Sequence, residues 1–343
     1  MANLHKTLGE ANLIQTYFAP LTAGAPGAYG LTDDCASLTP PDGQDLILST
    51  DAVIEGIHFL ADEDPASIGA KAIAVNVSDV VSKGARPLVY LMNLSFPSQP
   101  SQSWLQAFAA GLRSAQFQYG CHLTGGDTDK TTGPLSVSIT MVATVAKGQM
   151  VRRNGAKPGD IVFVTGPIGD ATLGLRLARG ENSKMSSGLG PTQISALVAR
   201  YRRPQPVLNV ADILPGHVSA AMDVSDGLLK DFGHLCAASK CGGRLDLAQM
   251  PVSDAARTVM STGNISYVDL ATGGEDYVVL GCVAPEKHDA LKSVAAKAGV
   301  EITMIGQIRP IEEGVQFIDA LGQNVSVTQS GWDHFSNQFD VNS

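Results

Sequence analysis

Short runs rich in Val, Ile and Leu recur along the chain and predict β-strands. They fall at residues 45–50, 87–96, 134–145, 160–166, 220–224 and 276–283. The run at 134–145 alternates apolar and polar residues, which is typical of a strand with one buried face. Such a strand packs its apolar face on helices or on another sheet, so the pattern predicts an α+β architecture rather than a purely parallel interior sheet.

Helical patterns separate several of these strands. In residues 67–85 apolar side chains recur at helical spacing, and Gly84 offers an end to the helix. Residues 225–242 repeat the pattern, with Ser225 as a candidate N-cap and Gly242 as the predicted end.

The length of 343 residues favours two domains of ordinary size over one, and 44% hydrophobic residues is enough to give each a core. A stretch dense in Gly, Pro and basic residues lies at 147–160, and it separates one strand from the next. We therefore predict an N-terminal domain over residues 1–149 and a C-terminal domain over 150–343. The polar stretch 179–193 reads as an excursion within the second domain, and the acidic, amphipathic N-terminus reads as part of the mature fold.

Charge and cysteine usage narrow the function classes. The chain has 24 Lys and Arg against 33 Asp and Glu, a net charge of −9, which argues against nucleic-acid binding. If the ligand is a phosphate compound, metal ions have to mediate its binding. The five cysteines form no C-x-x-C pair, which indicates reduced thiols in a cytoplasmic protein, and no apolar run is long enough to predict a membrane span.

Neither of the two common phosphate-binding loops occurs in the chain. Instead, aspartate stands beside glycine or a hydroxyl residue at 32–36, 49–59, 76–79, 124–129, 223–227 and 272–277. Taken singly, most of these stretches are explained by turns or helix caps. Asp79 differs because it falls inside a helical pattern, where aspartate is a poor helix former; a solvated helix face is its structural explanation.

The six stretches taken together favour a metal-bound phosphate site. Two carboxylates about 4 Å apart repel by roughly 4 kcal/mol at an effective dielectric near 20, so converging aspartates require bound cations or protonation. Magnesium prefers oxygen ligands, usually a few carboxylates with water and substrate phosphates. The stretch "DVSD" at 223–226 also echoes "NVSD" at 76–79, and we interpret the two as opposing walls of one site, with Asp79 and Asp223 facing each other.

The order of these motifs resembles the thiamine-monophosphate kinase family. The resemblance runs from about residue 30 to 335 through "TDDCA", "STD" with "EGIHF", "KAIAVNVSDVVSKGARP", "GGDTDKTTGPL", "RNGAKPGD", "DVSDGLLKDFGH", "GGEDY" and "GWDHF". It implies a two-domain α+β fold like that of aminoimidazole ribonucleotide synthetase, with an N-terminal mixed sheet with helices and a C-terminal α/β sandwich domain. It also implies a homodimer formed by the N-terminal sheets and a nucleotide held between the domains.

The resemblance implies roles for individual residues. Magnesium ligands would be Asp34, Ser49, Thr50, Asp51, Asp79, Asp127, Asp223 and Asp226. ATP would contact Gly126, Asp127, Arg153 and Ser225, and thiamine monophosphate would contact His58, Glu275 and Trp332. One departure is that Thr32 stands where the family usually has glycine, so a different backbone path is expected before Asp34.

Structural explanations stand beside several of these roles. His58 lies among apolar neighbours and could be a buried structural histidine, Trp332 could close a core, and Arg153 could belong to a solvated linker. Against these, Trp332 could stack on a cationic ring for about 0.5–2 kcal/mol, with Glu275 near the same positive charge. Arg153 could clamp a nucleotide phosphate.

The residues and the resemblance together predict an enzyme that uses ATP and several Mg²⁺ ions to phosphorylate thiamine monophosphate directly, without a phosphoenzyme. Another ATP-dependent enzyme of the same superfamily is the first alternative, because it would share the aspartates. A non-catalytic, metal-dependent nucleotide-binding regulator is the second.

Overall fold

The computed structural model describes residues 9–181, 188–263, 265–327 and 330–332. The chain divides into two compact units, one up to Met150 and one from Val151 onward. The polar stretch 179–193 lies partly outside the described residues, as do Asp333 and His334 of the "GWDHF" motif. No helix among the described residues is long and apolar enough to cross a membrane.

The first unit is a four-stranded sheet with two long helices. Its regular elements are α1 (Glu10–Leu13), β1 (Gln44–Ile54), α2 (Pro65–Ser82), β2 (Arg86–Phe96), α3 (Gln102–Tyr119), β3 (His122–Lys130) and β4 (Ser136–Ala146). A π-helix at Ile14–Phe18 and 3-10 helices at Ala19–Thr22 and Pro26–Leu31 precede the sheet. The strand order is β1-β4-β2-β3, with β2 and β3 parallel and the other neighbours antiparallel.

The alternating pattern predicted for the last strand of this unit is confirmed. Along β4 every second residue, from Val137 to Val145, is buried, and α2 packs on the sheet at β4 and β1. Helix α2 begins at the N-cap Asp64, whose side chain accepts the Ala66 N–H. It ends before Gly84, which has a φ of +75° as the sequence indicated.

The stretch 124–129 lies inside strand β3, although its composition is typical of a turn. It is drawn into the sheet by parallel pairing with β2, where Asp127 lies opposite Asn93. Gly126 has a φ of +150°, and a Cβ there would lie 1.8 Å from the carbonyl oxygen of Met92. The glycine is therefore required by close packing of two strands rather than by a turn.

The second unit is a six-stranded sheet with helices. Its regular elements are β5 (Ile161–Val164), α4 (Asp170–Ala178), α5 (Pro191–Arg202), α6 (Val210–Ile213), β6 (Ala220–Asp223), α7 (Leu228–Ser239), β7 (Gly242–Asp246), α8 (Asp254–Ser261), α9 (Tyr267–Ala271), β8 (Val279–Val283), α10 (His288–Lys297), β9 (Thr303–Arg309) and β10 (Val315–Ile318). Short 3-10 helices lie at Leu247–Gln249, Pro285–Lys287 and Ile311–Glu313. The strand order is β10-β7-β9-β5-β8-β6, antiparallel except for β10 and β7. The predicted two-domain α+β fold is confirmed.

The predicted limits of helix 225–242 were wrong at both ends. The helix begins at Leu228 after Gly227, and Ser225 lies outside it and does not cap it. Instead, a carboxylate within the helix, that of Asp231, reaches back to the N–H groups of Ser225 and Asp226. At the other end Lys240 takes the left-handed conformation with a φ of +55°, which leaves Gly242 to begin β7.

Candidate functional site

Helix α2 is fixed to β1 by polar residues at the level of the "STD" run. The Ser49 hydroxyl donates to Asp79 Oδ2. Three residues earlier in the helix, Asn76 is fully buried, and its Oδ1 accepts the Asp51 N–H at 3.0 Å. Asn76 also donates to the Ala72 carbonyl at 3.0 Å. These bonds place a hydroxyl and two carboxylates together at one end of the helix–sheet contact.

Thr50 lies on the opposite face of the sheet from its two neighbours, because successive side chains of a strand alternate. Its Oγ1 is 3.1 Å from Thr140 Oγ1 and 3.1 Å from the Ile139 carbonyl oxygen. Of the three consecutive residues predicted as metal ligands, Ser49 and Asp51 therefore face α2 and Thr50 faces away from it.

His58 lies in the loop that follows β1, and two interactions hold it there. Its Nδ1 accepts the Ile54 N–H at 3.1 Å, so the neutral ring carries its proton on Nε2. Lys71 of α2 is 1% exposed, and its ammonium donates to the His58 carbonyl at 2.6 Å. A lysine buried in the helix thus supports the loop that carries the histidine.

Gly126 and Asp127 form a separate group in the first unit. They lie exposed on β3, at the opposite edge of the sheet from β1. Three strand spacings separate β1 from β3, roughly 14 Å. Asp51 and Asp127 therefore do not meet within this sheet.

Asp34 is exposed and follows an unusual backbone segment. Tyr29, Gly30 and Leu31 have consecutive positive φ values of 50°, 65° and 58°, a conformation that non-glycine residues seldom adopt in succession. Thr32, which replaces a family glycine, has a φ of −108° and donates its hydroxyl to the Tyr29 carbonyl at 2.7 Å. Its backbone is unstrained, so the strain in this segment falls on the residues before it.

In the second unit, residues Asp223–Gly227 form a segment between β6 and α7 that we call the acidic loop. Its carbonyl oxygens accept N–H groups from two other parts of the chain. Val224 accepts from Tyr277 and Ser225 accepts from Glu275, both at 2.8 Å. Asp226 accepts from Trp332 at 2.8 Å. The structure thus gathers five residues predicted for the site: Asp223, Ser225, Asp226, Glu275 and Trp332.

Glycines of the "TGGEDY" stretch permit this close approach. A Cβ on Gly274 would lie 2.4 Å from the Ser225 carbonyl oxygen. On the other side of the contact, Gly227 has a φ of +116°, and a Cβ there would lie 2.9 Å from the Thr272 carbonyl oxygen. Side chains at these positions would separate the two segments.

Two charged residues of α7, missed by the sequence analysis, complete the acidic loop. Lys230 donates to Asp226 Oδ2 at 2.8 Å and also to the Trp332 carbonyl. Asp231, which is 2% exposed, accepts the Ser225 and Asp226 N–H groups on one oxygen at 3.0 and 3.1 Å. Burial, with the nearby carboxylates of Asp223 and Asp226, raises the pKa of Asp231 to about 7.

Glu275 is presented by a strained turn. Glu275 and Tyr277 have φ values of +69° and +50°, and for this reason strand β8 begins at Val279 rather than at the predicted residue 276. Between them Asp276 is 4% exposed, and its Oδ2 accepts the Gly169 N–H at 2.9 Å, at the start of α4. Burial raises the pKa of Asp276 to about 7.

Arg153 is exposed near the same helix, α7. Its carbonyl oxygen accepts the Ser239 hydroxyl at 3.1 Å, which anchors the linker at the end of α7. Partial burial, followed by the positive charges of Lys230 and Arg153, lowers the pKa of His234.

Three of the site residues that the sequence analysis missed share one signal. Lys71, Asn76 and Asp231 are polar residues that interrupt the buried face of an apolar helix. Buried polar groups require partners, so such interruptions indicate a specific bond. The sequence identifies these residues as candidates but not the groups that they bind.

The oxygen-rich donor set fits magnesium that is bound together with a phosphate ligand. Among the described residues, no three His, Cys, Asp or Glu side chains are grouped so as to hold a metal ion by themselves. Magnesium is commonly held by one or two carboxylates with substrate phosphates and water rather than by an all-protein cage. The paired oxygens of Ser49 and Asp79 match that pattern.

Two protein-family models match successive parts of the chain. Residues 32–145 match the N-terminal domain of AIR synthase related protein, and residues 157–316 match its C-terminal domain. The thiamine-monophosphate kinase of Caulobacter vibrioides is 37% identical over 332 residues, covering 95% of this chain and 90% of that protein.

Solved structures give the same relation. A crystal structure of thiamine-monophosphate kinase from Stenotrophomonas maltophilia K279a superimposes with a TM-score of 0.77 at 32% identity, covering 88% of this chain and 96% of that one. The complex of AaThiL with AMPPCP and TMP superimposes with a TM-score of 0.75 at 30% identity, covering 96% of this chain and 97% of that one.

Proposed function

The chain belongs to the thiamine-monophosphate kinase family, and on that premise we propose that it transfers the γ-phosphoryl group of ATP to thiamine monophosphate, giving thiamine diphosphate and ADP. The observation that carries the proposal is 37% identity to a thiamine-monophosphate kinase over 95% of the chain. The similar AaThiL structure, which holds the ATP analogue AMPPCP together with TMP, supports both substrates.

The proposed transfer is direct and in line. The acceptor is a phosphate-monoester oxygen, which is already an anion at neutral pH, so the reaction requires no general base. The enzyme has to hold two anionic groups in line and neutralise their charge. When bound, several Mg²⁺ ions would supply that neutralisation, and between them they would be held by oxygens of Asp34, Ser49, Thr50, Asp51, Asp79, Asp127, Asp223 and Asp226.

The side chains of the chain have separate proposed tasks. Nucleotide contacts are assigned to Gly126, Asp127, Arg153 and Ser225. Contacts with thiamine monophosphate are assigned to His58, Glu275 and Trp332. His58 is suited to donate from Nε2 to a phosphate oxygen, because its Nδ1 already accepts the Ile54 N–H.

Lys230 connects the acidic loop to the segment that carries Trp332. Its ammonium contacts both the Asp226 carboxylate and the Trp332 carbonyl. A change at the loop would therefore alter the position of the tryptophan assigned to the substrate. We assign Lys230 a supporting role rather than the role of a metal ligand. Its ammonium group is positively charged, whereas magnesium is bound by oxygen atoms.

A homodimer formed through the first unit is the second part of the proposal. Leu48 is 68% and Leu91 42% exposed. Both lie on the sheet face that carries Thr50, away from α2, since they pair with Val142 and Thr140 of β4. Exposed apolar sheet surface of this kind is typical of an interface.

The dimer is tested by light scattering after gel filtration. Leu48→Asp is expected to give monomers, whereas Phe117→Asp, at a 93% exposed position on α3, is expected to leave the dimer intact. A monomeric wild-type protein at micromolar concentration contradicts this part of the proposal. The reaction itself is proposed to take place in the cytoplasm, which agrees with five free cysteines among the described residues.

The deciding experiment mixes the protein with ATP, MgCl₂ and thiamine monophosphate and detects thiamine diphosphate by chromatography. Product formed in proportion to ADP is expected, and EDTA is expected to abolish it. Reactions that lack either substrate are the controls. Absence of thiamine diphosphate, with or without activity on another acceptor, contradicts the proposed function.

A further inference from the structure

The acidic loop is held on both sides of its backbone. The carbonyl oxygens of Val224, Ser225 and Asp226 accept N–H groups from other segments. The N–H groups of Ser225 and Asp226 donate to a single oxygen, Oδ2 of Asp231. Of these five bonds, the two to Asp231 depend on a side chain, so one substitution can remove them while the other three remain.

We propose that Asp231 is a positioning residue for phosphoryl transfer, whose carboxylate fixes the backbone of Ser225 and Asp226 and thereby sets the direction of their side chains. The inference rests on the proposed function, because it concerns the same reaction. It adds a residue to which the family resemblance assigned no role.

The position of Asp231 distinguishes this role from that of a metal ligand. The residue is 2% exposed, and its Oδ2 already accepts two hydrogen bonds. A ligand oxygen would have to face the bound phosphate group instead.

The position also differs from an ordinary helix cap. A capping side chain precedes the helix and accepts N–H groups from its first turn. Asp231 lies within the first turn of α7 and accepts N–H groups from the residues that precede the helix. Its bonds therefore order the loop rather than the helix.

Two variants separate the shape of the side chain from its charge. Asp231→Asn keeps an acceptor oxygen at the same distance from the backbone and removes the charge. Asp231→Glu keeps the charge and moves the acceptor by about 1.5 Å, one carbon–carbon bond. If the residue positions the loop, the Asn variant retains kcat within about threefold, and the Glu variant loses roughly 100-fold, the loss typical of a 1 Å misplacement.

Matched controls use Asp160, another buried carboxylate of the second unit, which accepts the Lys157 N–H and the Ser219 hydroxyl. Asp160→Asn and Asp160→Glu report the effects of amide replacement and of an added methylene in a buried site away from the acidic loop. Both are expected to keep wild-type kcat and KM. Melting temperatures of all four variants show whether each protein is folded.

Three outcomes overturn the proposal: the Glu variant retains wild-type kcat, the Asn variant loses as much as the Glu variant, or the Asp160→Glu control loses as much as Asp231→Glu. A second measurement that does not depend on turnover is the dissociation constant of Mg·AMPPCP by calorimetry. It is expected to rise at least tenfold for Asp231→Glu and to stay within threefold for Asp231→Asn; equal constants contradict positioning. Wild-type protein that makes no thiamine diphosphate contradicts the proposed function, whereas an active wild type with an active Glu variant contradicts only the role of Asp231.

Discussion

Replacement of Asp276 by Asn is expected to give a gain in stability over the wild type that grows as the pH rises from acidic to alkaline values. Asp276 is 4% exposed and accepts the N–H groups of Gly169 and Ala171 at the start of α4. An Asn side chain has one acceptor oxygen, so without a charge it can keep the shorter bond, from the Gly169 N–H, but not the longer one from Ala171. The variant therefore removes the penalty of a buried carboxylate, and the loss of the longer bond does not depend on pH.

The size and sign of the effect follow from the pKa of Asp276. Burial raises it from 3.8 to about 7. Between these values the folded protein holds a proton that the unfolded chain releases, so the free energy of unfolding falls as the pH rises. At 1.36 kcal/mol per pKa unit, the penalty is about 2 kcal/mol at pH 5 and about 4 kcal/mol at pH 8.

The assay is urea-induced unfolding followed by far-ultraviolet circular dichroism at pH 5 and pH 8. The difference in free energy of unfolding between Asp276→Asn and the wild type is expected to increase by about 2 kcal/mol between these pH values. Asp42→Asn, at an exposed position, serves as the control for loss of a carboxylate. A gap that does not change with pH, or that shrinks, would refute the assignment of a neutral, buried Asp276 at low pH.

Three further predictions concern the site directly. Asp79→Asn and Asp223→Asn are each expected to abolish thiamine diphosphate formation while the melting temperature stays within a few degrees of the wild type or rises, because charge repulsion is relieved. Ser49→Ala, which removes the hydroxyl bonded to Asp79, is expected to lower kcat at least tenfold, whereas Ser138→Ala, on the other face of the sheet opposite Ala52, is expected to change it less than threefold. Gly274→Ala is expected to lower kcat at least tenfold in the chromatographic assay, because its Cβ would lie 2.4 Å from the Ser225 carbonyl oxygen.

The outcomes that contradict these three predictions are distinct. A collapse of stability in the Asp79 or Asp223 variants would favour a structural role for the carboxylates. Equal losses in the Ser49 and Ser138 variants would show that the loss does not come from the bond between Ser49 and Asp79. For the glycine, Gly233→Ala in α7 is the control, because no atom lies within 4 Å of its added Cβ, and it is expected to stabilise the protein by about 0.5–1 kcal/mol.

The sequence predicted the elements whose periodicity is strong. The alternating strand that became β4 and the apolar helix that became α2 lie close to their predicted positions, because each buries one face. The strand β3 was missed because its residues carry no apolar alternation; its place is fixed by pairing with β2. Pairing between strands distant in sequence cannot be read from local composition.

For the site, the motif order identified residues of the acidic loop but not the residues that hold it in place. Ser225, Asp226 and Trp332 were predicted, and backbone bonds bring them together. Lys230 and Asp231 were missed because a charge in the first turn of a helix is common and has a solvated explanation. Only the structure shows that both side chains reach back to Asp226. Lys230 donates to its carboxylate, and Asp231 accepts its backbone N–H.

The similar sequences at residues 76–79 and 223–226 lie in two different backbone environments. Ser78 and Asp79 lie within α2, where the backbone is satisfied by the helix and the Asp79 carboxylate is held by Ser49. Ser225 and Asp226 lie outside any helix, and their N–H groups require the carboxylate of Asp231. In the first copy the helix therefore supplies the hydrogen-bond partners of the backbone. In the second copy the side chain of Asp231 supplies them. For this reason, loss of a side chain that holds the backbone is expected to disturb residues 223–226 and not residues 76–79. The Asp231 variants test this expectation through kcat and the dissociation constant of Mg·AMPPCP.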